Sequence, residues 1–138
     1  QGSRIYVGLG SDQTDRDLES KSITLSKQIC DKVLCSTLWP FGEVQQQWDR
    51  LRLRAWIEDE GSESLYQEGL LGEMIAPQDL FDNRFGGELP EGTVLFGGTM
   101  SVIGGVRPAN AFRMELHDPL HDRSLEHAYR IEILEVPG

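Results

Sequence analysis

The chain has 138 residues, a formal net charge of −10 and two cysteines. That length suits a single domain, 1–138, with a real core, and 38% hydrophobic with 26% charged residues is a globular balance. The carboxylate surplus repels a phosphate backbone, so nucleic acid is not an expected partner.

RIYVGLG (Arg4 to Gly10) is β-branched and aromatic and ends in glycine, which predicts a central strand running into a loop. Thr14 to Gln28 is weakly helical. FGEVQQQW follows a proline and suits a short, poorly capped helix. LRLRAWI (Leu51 to Ile57) has period two and predicts a half-exposed strand; EDEGSE is then a turn and SLYQEG a second strand. Leu70 to Phe81 reads as helix, with Pro77 admissible in a first turn. Thr93 to Thr99 reads as a buried strand meeting a glycine-rich turn. Two strands follow, FRMELHD and HAYRIEILEV, joined by a polar connection around Pro119 and Asp122. The expected class is α+β, sheet-dominated, with a few short helices.

No apolar run is long enough to span a bilayer, so no membrane is expected. QGSRIYVG lacks the basic and apolar segments of a signal peptide. Cys30 and Cys35, spaced C-x4-C without a second pair, make neither a disulfide framework nor a zinc signature; reduced thiols in a cytoplasmic protein are expected.

Three stretches place functional groups at strand ends. In GSDQTDRDLE, Asp12 follows the first strand closely and offers oxygen ligands to a hard divalent ion such as Mg²⁺. Arg16 offers a planar fork to a carboxylate or oxyanion; alternatively Asp15, Asp17 and Glu19 form a solvated helix start with Arg16 as an ordinary partner. In FGGT, the Gly97–Gly98 backbone can approach a ligand closely and the Thr99 hydroxyl adds a donor, unless the glycines only serve a tight turn. In RMELHD, Arg113, Glu115 and His117 share one strand face. His117, His121 and His127 have no fixed ligand spacing and read as surface residues.

Taken together and in order, these stretches resemble the fumarylacetoacetate hydrolase superfamily. GSDQTDRDLE is similar to its N-D-x-S-x-R-D-x-Q segment, and LPEGTVLFGGTMSVIGG to its L-x-P-G-D-V-I-x-T-G-T-P-x-G-V-G segment. SKQICDKV resembles its lysine-bearing stretch, and LYQEGLLGEMI its Q-x-G-x-T-x-x-M-I stretch. The chain looks closer still to an uncharacterised bacterial branch grouped with that superfamily.

The resemblance implies a mixed β-roll of the superfamily's C-terminal-domain type and a homodimer. It implies that Asp12 binds a divalent metal (Mg²⁺, or Mn²⁺ or Ca²⁺) and that Arg16 helps hold the substrate. Lys27 stabilises an enolate or oxyanion, with Lys21 and Lys32 as competitors for that role. Gly98 and Thr99 grip the substrate carboxylate, and Glu115 supports the catalytic base or water. The implied activity is metal-dependent hydrolysis, hydration or lysis of a small 2-oxo or 2,4-dioxo acid. Glu19 stands where the family has a substrate-contacting Gln, and Thr93 where it has Asp. The family's Glu-x-Glu ligand pair has no counterpart before Asp12, so the chain is expected to be the C-terminal part of a longer protein or an inactive relic. The alternative is a non-catalytic carboxylate-binding or assembly domain with the same fold.

Overall fold

A computed structural model describes residues 4–135. In chain order it has β1 (Tyr6–Val7), β2 (Gly10–Asp12), α1 (Arg16–Glu19), α2 (Ile23–Gln28), β3 (Lys32–Leu34), β4 (Trp39–Pro40) and α3 (Phe41–Val44). Then come β5 (Arg52–Asp59), β6 (Ser62–Leu70), α4 (Pro77–Phe85), β7 (Ala111–Asp118) and β8 (Arg123–Arg130). The class is α+β and sheet-dominated, as the sequence predicts, and the named strands all pair antiparallel.

The main sheet has the order β6-β5-β7-β8. Its first hairpin closes on Glu60 and Gly61, both at positive φ (51° and 80°), the conformation that matches strand twist in a two-residue turn. Period two then sorts the side chains. Met114, Leu116 and Leu125 turn inward and join Leu9, Cys35, Trp39, Val44, Leu51 and Leu71 in the buried core. The opposite face is polar: Arg54 lies across from Glu115 and Trp56 across from Arg113. There the Arg113 guanidinium lies 3.7 Å from the centre of the Trp56 ring.

Several expected elements take another form. Arg4 to Gly10 is not one central strand. It breaks at Gly8–Leu9 into β1, which pairs with β4, and β2, which pairs with β3. Leu9 is buried at the break, and a Cβ on Gly8 would sit 2.7 Å from Leu38 Cδ2. Thr14 to Gln28 divides into α1 and α2, capped by the Asp15 carboxylate and the Ser22 hydroxyl. Leu70 ends β6; a 3-10 turn (Leu71–Glu73) follows, and α4 begins only at Pro77.

Thr93 to Thr99 is extended but belongs to no strand, and Gly98 there has φ +121°. Three residues past its end, Val102 forms an isolated bridge with Gln67 of β6. β8 starts at Arg123, earlier than the expected HAYRIEILEV, whose Val136 lies outside the described residues, as do residues 1–3. Among the described residues no helix is long and apolar enough to cross a membrane.

Candidate functional site

β2 and β3 form a ribbon with the register Gly10–Leu34, Ser11–Val33 and Asp12–Lys32. One face looks inward: Val33 packs against the core, and the Tyr129 hydroxyl donates to Ser11 Oγ at 2.8 Å. The other face carries Gly10, Leu34, Asp12 and Lys32. A Cβ on Gly10 would come within 2.9 Å of Phe96 Cε1, so this face looks toward the 93–99 segment.

Lys27 joins that face from α2. The helix is docked by the Asp15 N–H donating to the Ser26 carbonyl at 3.0 Å, and Ser26 is fully buried. Lys27 Nζ then lies 2.8 Å from Asp12 Oδ2, and Lys32 Nζ lies 2.9 Å from Asp12 Oδ1. Two ammonium groups on one carboxylate leave a local charge of +1. Hydrogen bonds from Lys27 and then Lys32 hold the Asp12 carboxyl below its ordinary value. Lys27 also reaches Thr14 Oγ1 at 3.3 Å, and Lys32 donates to the Gln13 carbonyl. Each ammonium, with three donors, keeps one for an incoming anion.

Beside this cluster opens a cleft of about 930 Å³. Residues 4–10 and 89–98 form its two sides, and Leu53, Leu71 and Leu116 its floor. Gly98 lines it, whereas Asp12 and Lys32 lie one pleat beyond the Gly10–Leu34 pair, about 7 Å along the ribbon at the usual strand rise. Behind Gly98, the Gln67 amide donates to Thr99 Oγ1 at 2.8 Å and to the Met100 carbonyl at 2.6 Å. Thr99 accepts in that bond, so its own O–H remains available to a ligand. Gly69 makes room for Met100, whose sulfur packs where a Cβ would stand.

The structure therefore brings together Asp12 and Lys27, adds Lys32, and sets Gly98 across the cleft from Gly10 of β2, with Thr99 next to it on Gln67. Arg16 and Glu19 satisfy each other at 2.9 Å on exposed α1, the solvated helix start that was the alternative reading. Glu115 lies apart from them. The resemblance implies a role for it beside the catalytic base, whereas β7 points it away from Leu116 and the cleft, onto the sheet's polar face, where Arg54 Nη2 holds it at 2.6 Å. Burial pushes Glu115 up, but the hydrogen bonds from Arg54 and beside Glu126 outweigh it and leave the carboxyl below its ordinary value.

Asp12 is expected to bind metal, yet both its oxygens are taken up by lysines. Among the described residues, no three His, Cys, Asp or Glu side chains converge on a metal position. The residues present do not make a divalent-metal centre by themselves. The histidines have other partners: His117 meets Ser124 Oγ at 2.8 Å, and His121 Nδ1 meets Asp118 Oδ2 at 2.7 Å. Both cysteines are thiols.

Two site arrangements escape a linear reading. Lys32 enters it only as a competitor for Lys27; that both lysines share Asp12 shows only in the β2–β3 register, which three-residue strands barely signal. Gln67 sits in a quoted motif stretch, but its task becomes visible only when Thr99 is beside it.

No curated protein and no solved structure matches the chain significantly. A family model does, over residues 1–129, and its description is a protein of unknown function, DUF2848. With that match spanning nearly the whole chain, the protein belongs to the DUF2848 family.

Proposed function

We propose that this chain supplies the anion-binding part of an enzyme site for a small 2-oxo or 2,4-dioxo acid, of the fumarylacetoacetate hydrolase type. The observation that supports it most is the Asp12–Lys27–Lys32 cluster beside the cleft. Hydrolysis, hydration and decarboxylation of such acids all build negative charge on a former carbonyl oxygen. Ammonium groups held in place by a shared carboxylate are positioned to meet that charge. On this reading Lys27 and Lys32 meet the enolate or carboxylate oxygen, and Asp12 holds both in place. The Gly98 backbone and the Thr99 hydroxyl take the other end of the acid. Arg16, Glu19 and Glu115 have no part in it.

A metal such as Mg²⁺ belongs to this proposal only with ligands beyond those described. The homodimer and a cytoplasmic location belong to it as well, the latter supported by the two thiols. The second reading is a carboxylate-binding domain without chemistry. It is favoured by the pairing of Asp12 with two lysines, which leaves this carboxylate no base to act as. The test is a screen of oxo acids for binding and turnover, with Lys27→Ala and Lys32→Ala alongside. Turnover lost in both variants supports the enzyme. Binding without turnover supports the second reading, and binding unaffected by either change refutes both.

A further inference from the structure

We infer that the cleft holds an apolar substituent, so that the ligand is an oxo acid with an aliphatic or aromatic tail of about six carbons or more; this rests on the site proposed above. Three observations converge on it. The volume, about 930 Å³, far exceeds the needs of a three-carbon acid and falls in the range of sites that enclose drug-sized molecules. Its walls carry large apolar side chains left open to solvent: Leu34 is 50% exposed, Leu38 53%, Ile75 60%, Val94 67% and Phe96 40%. Such a concentration of wet apolar surface in one concavity marks a binding site. The charge is also placed for an amphipathic anion. The cluster of net charge +1 sits one pleat past the rim, on the ribbon face that Gly10 and Leu34 present to the cleft, in a chain whose total charge is −10.

Gly10 fits this layout. A side chain there would run into Leu34 Cδ2 at 2.7 Å and Phe96 Cε1 at 2.9 Å, closing the passage between charged cluster and apolar walls. The two walls differ in kind. The 93–99 side is irregular backbone held at Gln67, and the other is the edge of two short ribbons.

The test is calorimetric titration of the chain with pyruvate, 2-oxohexanoate, 2-oxooctanoate and octanoate. Affinity should rise about threefold for each methylene that enters the cleft, giving roughly tenfold between the six- and eight-carbon oxo acids. The double change Ile75→Ser with Val94→Ser, at two open positions that leave the core intact, should abolish that gain. A flat response to chain length overturns the inference, even if Lys27→Ala and Lys32→Ala weaken every acid and so uphold the site. If octanoate equals 2-oxooctanoate and neither lysine variant matters, the oxo-acid site fails while the apolar cleft stands. Sedimentation gives a separate check. A dimer that the double variant converts to monomer, with tail-length dependence unchanged, would make this face a contact between copies and overturn the inference.

Discussion

The four-stranded sheet and the two N-terminal ribbons are built on opposite terms. β5 and β7 run eight residues each in continuous register and bury Leu116 and Met114 to 3% and 2% exposure. The ribbons pair over only two or three residues and leave Tyr6, Leu34 and the Asp12 cluster open. One region fixes the fold. The other, supported by it, leaves charge and apolar surface open to solvent.

The comparison can be broken by moving equal damage between the regions. Leu125→Ala, in the sheet core, should cost about 2–5 kcal/mol in urea unfolding, whereas Leu34→Ala in the ribbon should cost under about 1 kcal/mol. Equal losses would show that the ribbons share the load.

Asp118→Ala should come next, at about 3 kcal/mol, because it strips a buried hub of its charge. Asp118 is fully buried; it accepts from Gln47, Arg123 and the backbone N–H of Leu120, and it contacts His121. Burial pushes its carboxyl up, but the His121, Gln47 and backbone hydrogen bonds prevail and hold it below the ordinary value. Its contribution is therefore complete above the ordinary carboxylate range and is lost as pH falls through the lowered value. Urea midpoints measured downward from neutral pH should fall less steeply in the variant. Parallel curves would remove Asp118 from the acid response.

Gly69→Ala should cost about 1–3 kcal/mol, since the new methyl meets buried Met100. It should also weaken oxo-acid binding by loosening the Gln67–Thr99 tie, which calorimetry would register. Smallest in stability and largest in binding are Lys27→Ala and Lys32→Ala. These exposed pairs contribute under about 1 kcal/mol to folding, yet each loss should reduce anion affinity about tenfold. A lysine variant that cost as much stability as Leu125→Ala, or that left affinity unchanged, would sink the division of labour.

The same division explains what was legible in the sequence. LRLRAWI and RMELHD advertise themselves because a long strand repeats its period often enough to be read, and Glu60–Gly61 marks the turn between β5 and β6. GSD and KVL do not, since three residues hold barely one period, so the partnership of Asp12 with Lys32 is set by tertiary contacts. Thr93 to Thr99 has strand-like composition, but Gly97 and Gly98 and the pull of Gln67 keep it out of the sheet. Period two tells that Glu115 and Leu116 face opposite ways. It cannot say which face looks onto the cleft, and the grouping of Glu115 with Asp12 rested on the family resemblance instead. The family resemblance puts Asp12 and Lys27 in one site, as metal ligand and oxyanion stabiliser, but their direct ion pair shows only in the structure.

The bond from Tyr129 to Ser11 joins positions 118 residues apart, and burial pushes the tyrosine hydroxyl's pKa up. Contacts of that span close late, after the local hairpins have formed. During synthesis the ribbon bearing Asp12 leaves the ribosome before β8, so this anchor cannot form until β8 has followed. A chain halted before Tyr129 would thus carry the Asp12 cluster without the clamp that seats its ribbon on the sheet.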